Sequence, residues 1–149
     1  MSAGVFCNRD VVFVAPEATV EEAADLMRSY HVGCLVVVRD EGECRRPVGM
    51  ITDRDLVVEI LAQRIDPSTV AVADFMSSEP LTAHEDDSLW QTIRRMSAHG
   101  VRRMPVVDAR GSLVGLLSVD DILDLLSAEL SQLTTLAIRE QTREKEVRP

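Results

Sequence analysis

Two short motifs in this sequence have side chains that can do chemistry at the start of a helix. They are Thr52-Asp53-Arg54-Asp55 and Ser118-Val119-Asp120-Asp121. Each sets a hydroxyl three residues before a carboxylate. In one reading the two groups form a capping box, each satisfying a backbone N–H of the first helical turn. In the other, the helix start offers unpaired N–H groups and a positive dipole end to an anion such as a phosphate. Both readings stay open on sequence grounds. Arg102-Arg103 is the other candidate, because the planar guanidinium fork suits phosphate. Its ordinary alternative is a solvated charge pair ahead of the Met104-Pro105-Val106-Val107 strand.

The remaining reactive residue types point nowhere in particular. His31, His84 and His99 lack metal-ligand spacing. Cys7, Cys34 and Cys44 are odd in number and form no C-x-x-C, so neither a disulfide framework nor a metal site is expected. Cys34 sits in an apolar strand, where a buried, inert thiol is the default. Glu21-Glu22 and Glu85-Asp86-Asp87 open helices, where acid complements the dipole. The chain holds no nucleophile elbow, Walker-type loop or G-x-G-x-x-G. We expect no catalytic residue and no enzyme activity.

An internal repeat supplies the elements that must position these groups. A shift of 69 residues lays Thr19-Val20-Glu21-Glu22 on Ser88-Leu89-Trp90-Gln91 and Met27 on Met96. After a loop three residues longer in the first copy, a shift of 66 lays Gly49-Met50-Ile51-Thr52 on Gly115-Leu116-Leu117-Ser118 and Asp55 on Asp121. Each copy reads as strand, helix, strand, strand, helix. The first copy begins with the strand Val11–Val14. Thr19 with Glu22 and Ser88 with Gln91 read as capping boxes. Behind them, Val20, Ala23, Ala24 and Met27, and likewise Leu89, Ile93 and Met96, fall on one helical face. Gly33 and Gly100 read as the helix ends. Leu35–Arg39 with Val48–Ile51, and Met104–Val107 with Leu113–Leu117, read as hairpins. The closing helices run from about Asp53 to Gln63 and from about Val119 onward. The second continues into a tail with an apolar stripe at Leu126, Leu130, Leu133 and Ala137. We expect it to fray beyond about Arg139.

Composition narrows the partners. The 149 residues are 46% hydrophobic and 28% charged, as in folded globular proteins, with a net charge of −9. Residues 1–65 hold seven basic and eleven acidic side chains, and residues 66–127 hold five and ten. The tail from 128 to 149 is balanced at four and four. An acidic chain without a basic stripe is not expected to bind nucleic acid. Its apolar runs are too short to span a bilayer, and no secretory signal opens it, so a cytoplasmic protein is expected. Aromatics are only 3%, so stacking is a poor route to holding a base.

The two copies resemble a tandem pair of CBS domains, the Bateman module. The resemblance rests on His31-Val32-Gly33-Cys34-Leu35-Val36-Val37-Val38 and Gly49-Met50-Ile51-Thr52-Asp53-Arg54-Asp55-Leu56 in the first copy. In the second it rests on Asp74-Phe75-Met76, Gly100 to Asp108, and Gly115-Leu116-Leu117-Ser118-Val119-Asp120-Asp121-Ile122. It implies an α+β fold of two β-α-β-β-α units packed about a pseudo-twofold axis through their sheets. The units would span 4–65 and 66–127, followed by a helical tail at 128–149. It implies a free-standing, bacterial-type regulatory module whose clefts hold an adenosine-containing ligand, AMP, ADP, ATP or S-adenosylmethionine. No cofactor is required, and an adenine nucleotide, with or without Mg²⁺, is the implied regulatory ligand. Partners would be a second copy in a homodimer and a regulated protein.

By the same resemblance, Thr52 and Ser118 would donate to a phosphate, and Asp55 and Asp121 would accept from ribose hydroxyls. Site 1 would comprise Phe13, Val14, Gly33, Cys34, Leu35, Thr52, Arg54 and Asp55. Site 2 would comprise Thr82, Ala83, Arg102, Arg103, Met104, Pro105, Ser118 and Asp121. Gly33 and Cys34 stand where the second copy has Arg102 and Arg103, so the clefts should differ, and site 1 would be empty, weaker or dependent on arginines from the second copy. Gly49 and Gly115 would allow close backbone approach beside the cleft. The rival reading is a dimerisation scaffold with degenerate nucleotide sites. A small hydrolase using the acidic clusters is the weakest of the three.

Overall fold

The computed structural model describes residues 1–147. These form two compact units, one ending at Leu117 and one beginning at Ser118. The first contains both sheets. It opens with α1 (Ala3–Phe6), β1 (Phe13–Val14), α2 (Val20–Tyr30), β2 (Cys34–Glu41) and β3 (Cys44–Thr52). Next come α3 (Asp53–Asp55), which continues directly as a π-helix at Leu56–Leu61, and a 3₁₀ turn at Val72–Asp74. Then follow β4 (Ser77–Ser78), β5 (Ala83–His84), α4 (Leu89–His99), β6 (Arg103–Val107) and β7 (Leu113–Ser118). The second unit is the single helix α5 (Val119–Val147).

One sheet runs β1-β2-β3-β4 and the other β5-β6-β7. β1 pairs parallel to β2, β5 pairs parallel to β6, and β2 and β3 form a long antiparallel hairpin. Leu35, Val36, Val37 and Ile51 are fully buried, as are Met104, Pro105, Val106 and Leu117. These apolar β-branched and aliphatic runs behave as strands covered on both faces.

The two copies exchange their leading segments, and they do so bond for bond. Val20 N–H donates to the Val70 carbonyl at 3.0 Å, and Leu89 N–H, 69 residues on, donates to Met1 at 3.2 Å. Val72 N–H reaches Ala18 at 2.8 Å and Ala73 N–H reaches Pro16 at 3.0 Å. Their counterparts are Ala3 N–H to Asp87 at 2.8 Å and Gly4 N–H to Glu85 at 2.9 Å. β4, from the start of the second copy, pairs with β3 of the first, and Asn8 bridges Leu116 of β7. Each copy therefore completes its sheet and covers its first helix with chain from the other.

Gly49 and Gly115 serve this exchange. A Cβ on Gly49 would collide with the Met76 side chain and lie 3.0 Å from the Ser77 carbonyl. A Cβ on Gly115 would collide with the Cys7 thiol and lie 3.0 Å from the Asn8 carbonyl. The close backbone approach expected of these glycines is made by the protein's own chain.

Several local expectations change. Thr19 and Glu22 do form a reciprocal capping box. Ser88 makes no side-chain cap bond, although the N-terminal segment bridges it just as Ala71 bridges Thr19. α2 ends on His31, held left-handed at φ 54°, rather than on Gly33, whereas α4 ends on Gly100 at φ 64° as its sequence suggests. The first strand is only Phe13–Val14, and α5 stays helical past Arg139 to Val147. Residues 148–149, the last of the tail, lie outside the described residues. The three extra residues of the first copy's hairpin carry it to the second copy's turn. There Arg45 N–H donates to Ser112 Oγ at 3.0 Å.

Candidate functional site

β3 delivers Thr52 to the mouth of α3, and the two candidate groups of the first motif meet there. Thr52 N–H and Thr52 Oγ1 both donate to Asp55 Oδ2, at 2.8 and 3.0 Å. Asp55 N–H returns a 3.3 Å bond to Thr52 Oγ1. The other early donors are also occupied. Asp53 N–H donates to the Gly33 carbonyl at 3.0 Å, and Arg54 N–H to Asp53 Oδ1 at 2.8 Å. Gly33 is needed here, since a Cβ on it would lie 2.8 Å from Asp53 Oδ2. Each of these N–H groups already has an acceptor within the chain, so an incoming anion must displace one or find other donors.

Those other donors stand across a cleft of about 490 Å³. Cys34, Met50 and Thr52 of the first copy form one wall. His99, Val101, Arg102 and Arg103 of the second copy also line the cleft, together with residues 77–81. The volume falls within the usual range for small-molecule sites. Burial pushes the Cys34 thiol up to about 11; nearby Arg103 pulls it down, while Asp55 and Asp53 push it further up. The thiol is 7% exposed and stays protonated near neutrality, as its apolar strand suggested.

Of the expected site residues, the cleft brings together Cys34, Thr52, Arg102 and Arg103, with Asp55 hydrogen-bonded behind Thr52. Gly33 stands behind Cys34 against Asp53, and Arg54 is exposed. Leu35, Ala83, Met104 and Pro105 are fully buried in the sheets. Phe13 and Val14 line a separate groove beside α2 with Ala18, Leu26 and Tyr30, and the Arg45 guanidinium sits 4.0 Å over the Phe13 ring. The Thr82 carbonyl accepts from Arg95 Nη2 at 2.7 Å. Ser118 and Asp121 belong to the second unit. There Ser118 N–H donates to Asp121 Oδ2 and Asp121 N–H to Ser118 Oγ, both at 3.1 Å.

Sequence reasoning missed His99 and the segment Ser77-Ser78-Glu79-Pro80. This segment precedes the recognisable strand pattern of the second copy. Its place at the first copy's wall follows from the exchange of leading segments, which leaves no mark on hydrophobic periodicity.

The geometry is that of a paired β-α-β-β-α repeat with a cleft between the copies. The sequence profile of the CBS domain matches residues 3–62 and 72–128, and the chain belongs to the CBS-domain family. It is 36% identical over 125 residues to the uncharacterized protein MK0525 of Methanopyrus kandleri. That match takes in 84% of this chain but spans only 62% of the length of the relative. Hypoxic response protein 1 of Mycobacterium tuberculosis is 32% identical over 122 residues, covering 82% of this chain and 78% of that one. A crystal structure of Hypoxic Response Protein I with two coordinated zinc ions superposes with a TM-score of 0.72 at 31% identity, covering 83% of this chain and 98% of that one. The CBS domain pair of protein MJ0100, in complex with 5′-methylthioadenosine and S-adenosylmethionine, superposes with the same TM-score at 25% identity. It covers 85% of this chain and 99% of that one.

Among the described residues no three His, Cys, Asp or Glu side chains come together as a metal would need. Among them, too, no helix is long and apolar enough to cross a membrane.

Proposed function

We propose that this chain is a regulatory module that binds an adenosine-containing ligand between its two CBS copies and thereby controls a partner protein. The observation that carries the reading is the shared cleft, lined by Cys34 and Thr52 of one copy and by Arg102 and Arg103 of the other. The contact set we assign is Thr52, Asp55, Arg102 and Arg103, with Cys34 at the wall. Asp55 would take the ribose hydroxyls after releasing Thr52, and the arginines would take the acidic group. The adenosine-type ligands of the MJ0100 pair support the ligand class. Binding in a cleft built from both copies would bias their relative arrangement by its differential affinity for the two states, which is how such a module can signal.

Calorimetric titration with AMP, ADP, ATP and S-adenosylmethionine tests this. We expect heat from at least one, reduced tenfold or more by Asp55→Ala. No heat from any of the four would leave the reading without support and favour a scaffold. The scaffold reading draws on one observation, the exposed apolar side chains Leu130, Leu133 and Leu136 of α5. We assign that face to a homodimer contact.

A further inference from the structure

The groove between β1 and α2 has a volume of about 650 Å³, with Phe13, Val14, Leu26 and Tyr30 along it. Phe13 and Tyr30 are 38% and 62% exposed, so the surface is open to a partner. Its lining also holds two carboxylates, Glu22 and Asp25, and among the described residues no basic side chain. Glu22 accepts the Thr19 N–H through Oε2, which leaves Oε1 for another donor. A backbone acceptor adds to these. β1 is the edge strand of its sheet, Phe13 stands opposite Val36, and Val36 N–H donates to the Val12 carbonyl at 3.3 Å. Alternate residues of a parallel strand bond the same neighbour, so the Phe13 carbonyl points away from β2 toward the open edge. The Phe13 ring already carries the Arg45 guanidinium at 4.0 Å, so the acceptors left for a cation are this carbonyl and the two carboxylates.

The second copy shows what fills the same place. The shift of 69 residues lays Phe13 on Thr82, Ala18 on Asp87 and Leu26 on Arg95. There Arg95 Nη2 donates to the Thr82 carbonyl at 2.7 Å, and Arg95 Nη1 to Asp87 Oδ2 at 3.2 Å. The second copy thus closes its strand edge with its own guanidinium. The first copy has a leucine at that position, and its Asp25 stands where α4 has Arg94.

We propose that the β1–α2 groove docks an arginine-bearing segment of a partner protein, whose guanidinium takes the place that Arg95 fills in the second copy. The Phe13 carbonyl, Glu22 and Asp25 would accept its N–H groups, while Leu26 and Tyr30 cover its aliphatic stem. The net charge of −9 favours the approach of a basic segment. The groove shares no lining residue with the cleft between the copies, so the inference stands apart from the adenosine reading.

The test is an amide NMR titration of the full chain with a blocked pentapeptide carrying one central arginine. A second peptide has citrulline there, which keeps the shape and removes the charge. We expect shifts at residues 13–15 and 22–30, with the arginine peptide bound about fivefold or more tighter than the citrulline peptide. Asp25→Asn, an exposed change, should weaken the arginine peptide several-fold and leave the citrulline peptide unaffected. Leu26→Arg, with its fold checked by circular dichroism, should fill the groove from within and abolish binding. Equal affinity for the two peptides, or no shift with either at millimolar concentration, would overturn the proposal. So would binding undiminished by both Asp25→Asn and Leu26→Arg. Groove amides that shift with protein concentration alone, as the mass doubles, would give the groove to a second copy and overturn it too.

Discussion

Gly49 of β3 lies directly beneath Met76, with no room between them for a single carbon. The Ser77 carbonyl closes the space from the other side, so the contact fixes where the second copy's leading segment crosses the first copy's sheet. Overpacking such a site costs about 1–3 kcal/mol. Gly49→Ala is therefore expected to lower the unfolding free energy by that amount, seen as a lower urea midpoint, with part of the loss recovered when Met76 is also shortened to Ala. An unchanged midpoint would mean that the segment can shift freely.

The two first helices start in the same register but are capped differently. Thr19→Ala removes both the Thr19 Oγ1 acceptor and its half of a capping box, and should cost about 1 kcal/mol. Ser88→Ala removes no side-chain cap bond and should cost less than half as much. Thermal unfolding followed by circular dichroism compares the two. Equal losses would contradict the asymmetry.

His31 ends α2 in a left-handed conformation while exposed to solvent. A side chain there costs roughly 1 kcal/mol relative to glycine, so His31→Gly should stabilise the protein by up to that amount. Gly33→Ala should do the opposite, because its Cβ meets Asp53 Oδ2 at 2.8 Å. Denaturant melts of the two variants should move in opposite directions.

The Cys34 thiol gives a pH-dependent signature. Its folded pKa is raised from 9.0 to about 11, so between these values the unfolded chain loses the proton while the folded chain keeps it. The stabilising effect is thus complete below pH 9 and is lost as pH rises toward 11. Wild type should lose stability over that window relative to Cys34→Ala, and the thiol should resist alkylation at pH 7.5 until the protein unfolds. Rapid labelling of native protein at pH 7.5 would exclude a buried, protonated thiol.

The tail predicts an assembly state. Leu130 and Leu133 are each 63% exposed on α5. If this face pairs with a second copy, changing both to Glu should convert a dimer to a monomer by light scattering while the melting of the two sheets is retained. A mass unchanged by the double substitution would place any dimer contact elsewhere.

Much of this organisation is legible in residue types because it depends on near neighbours. The capping box at Thr19, the β-branched hairpin strands, the αL glycine at Gly100 and the burial of Cys34 all follow from local propensity and apolar pattern. The repeat, read from spacings of 69 and 66 residues, determined that the two copies share one fold, and with it the CBS-domain family. It also singled out Thr52, Asp55, Arg102 and Arg103. What the tertiary structure alone decided is how these groups face one another. The copies trade their leading segments through backbone hydrogen bonds, which any residue except proline can donate and which therefore leave no trace in side-chain pattern. That exchange assigns Gly49 and Gly115 to chain crossing and brings Glu79 to the cleft. The same packing gives the N–H groups at the start of α3 acceptors within the chain and brings Arg102 and Arg103 to the lining of the cleft.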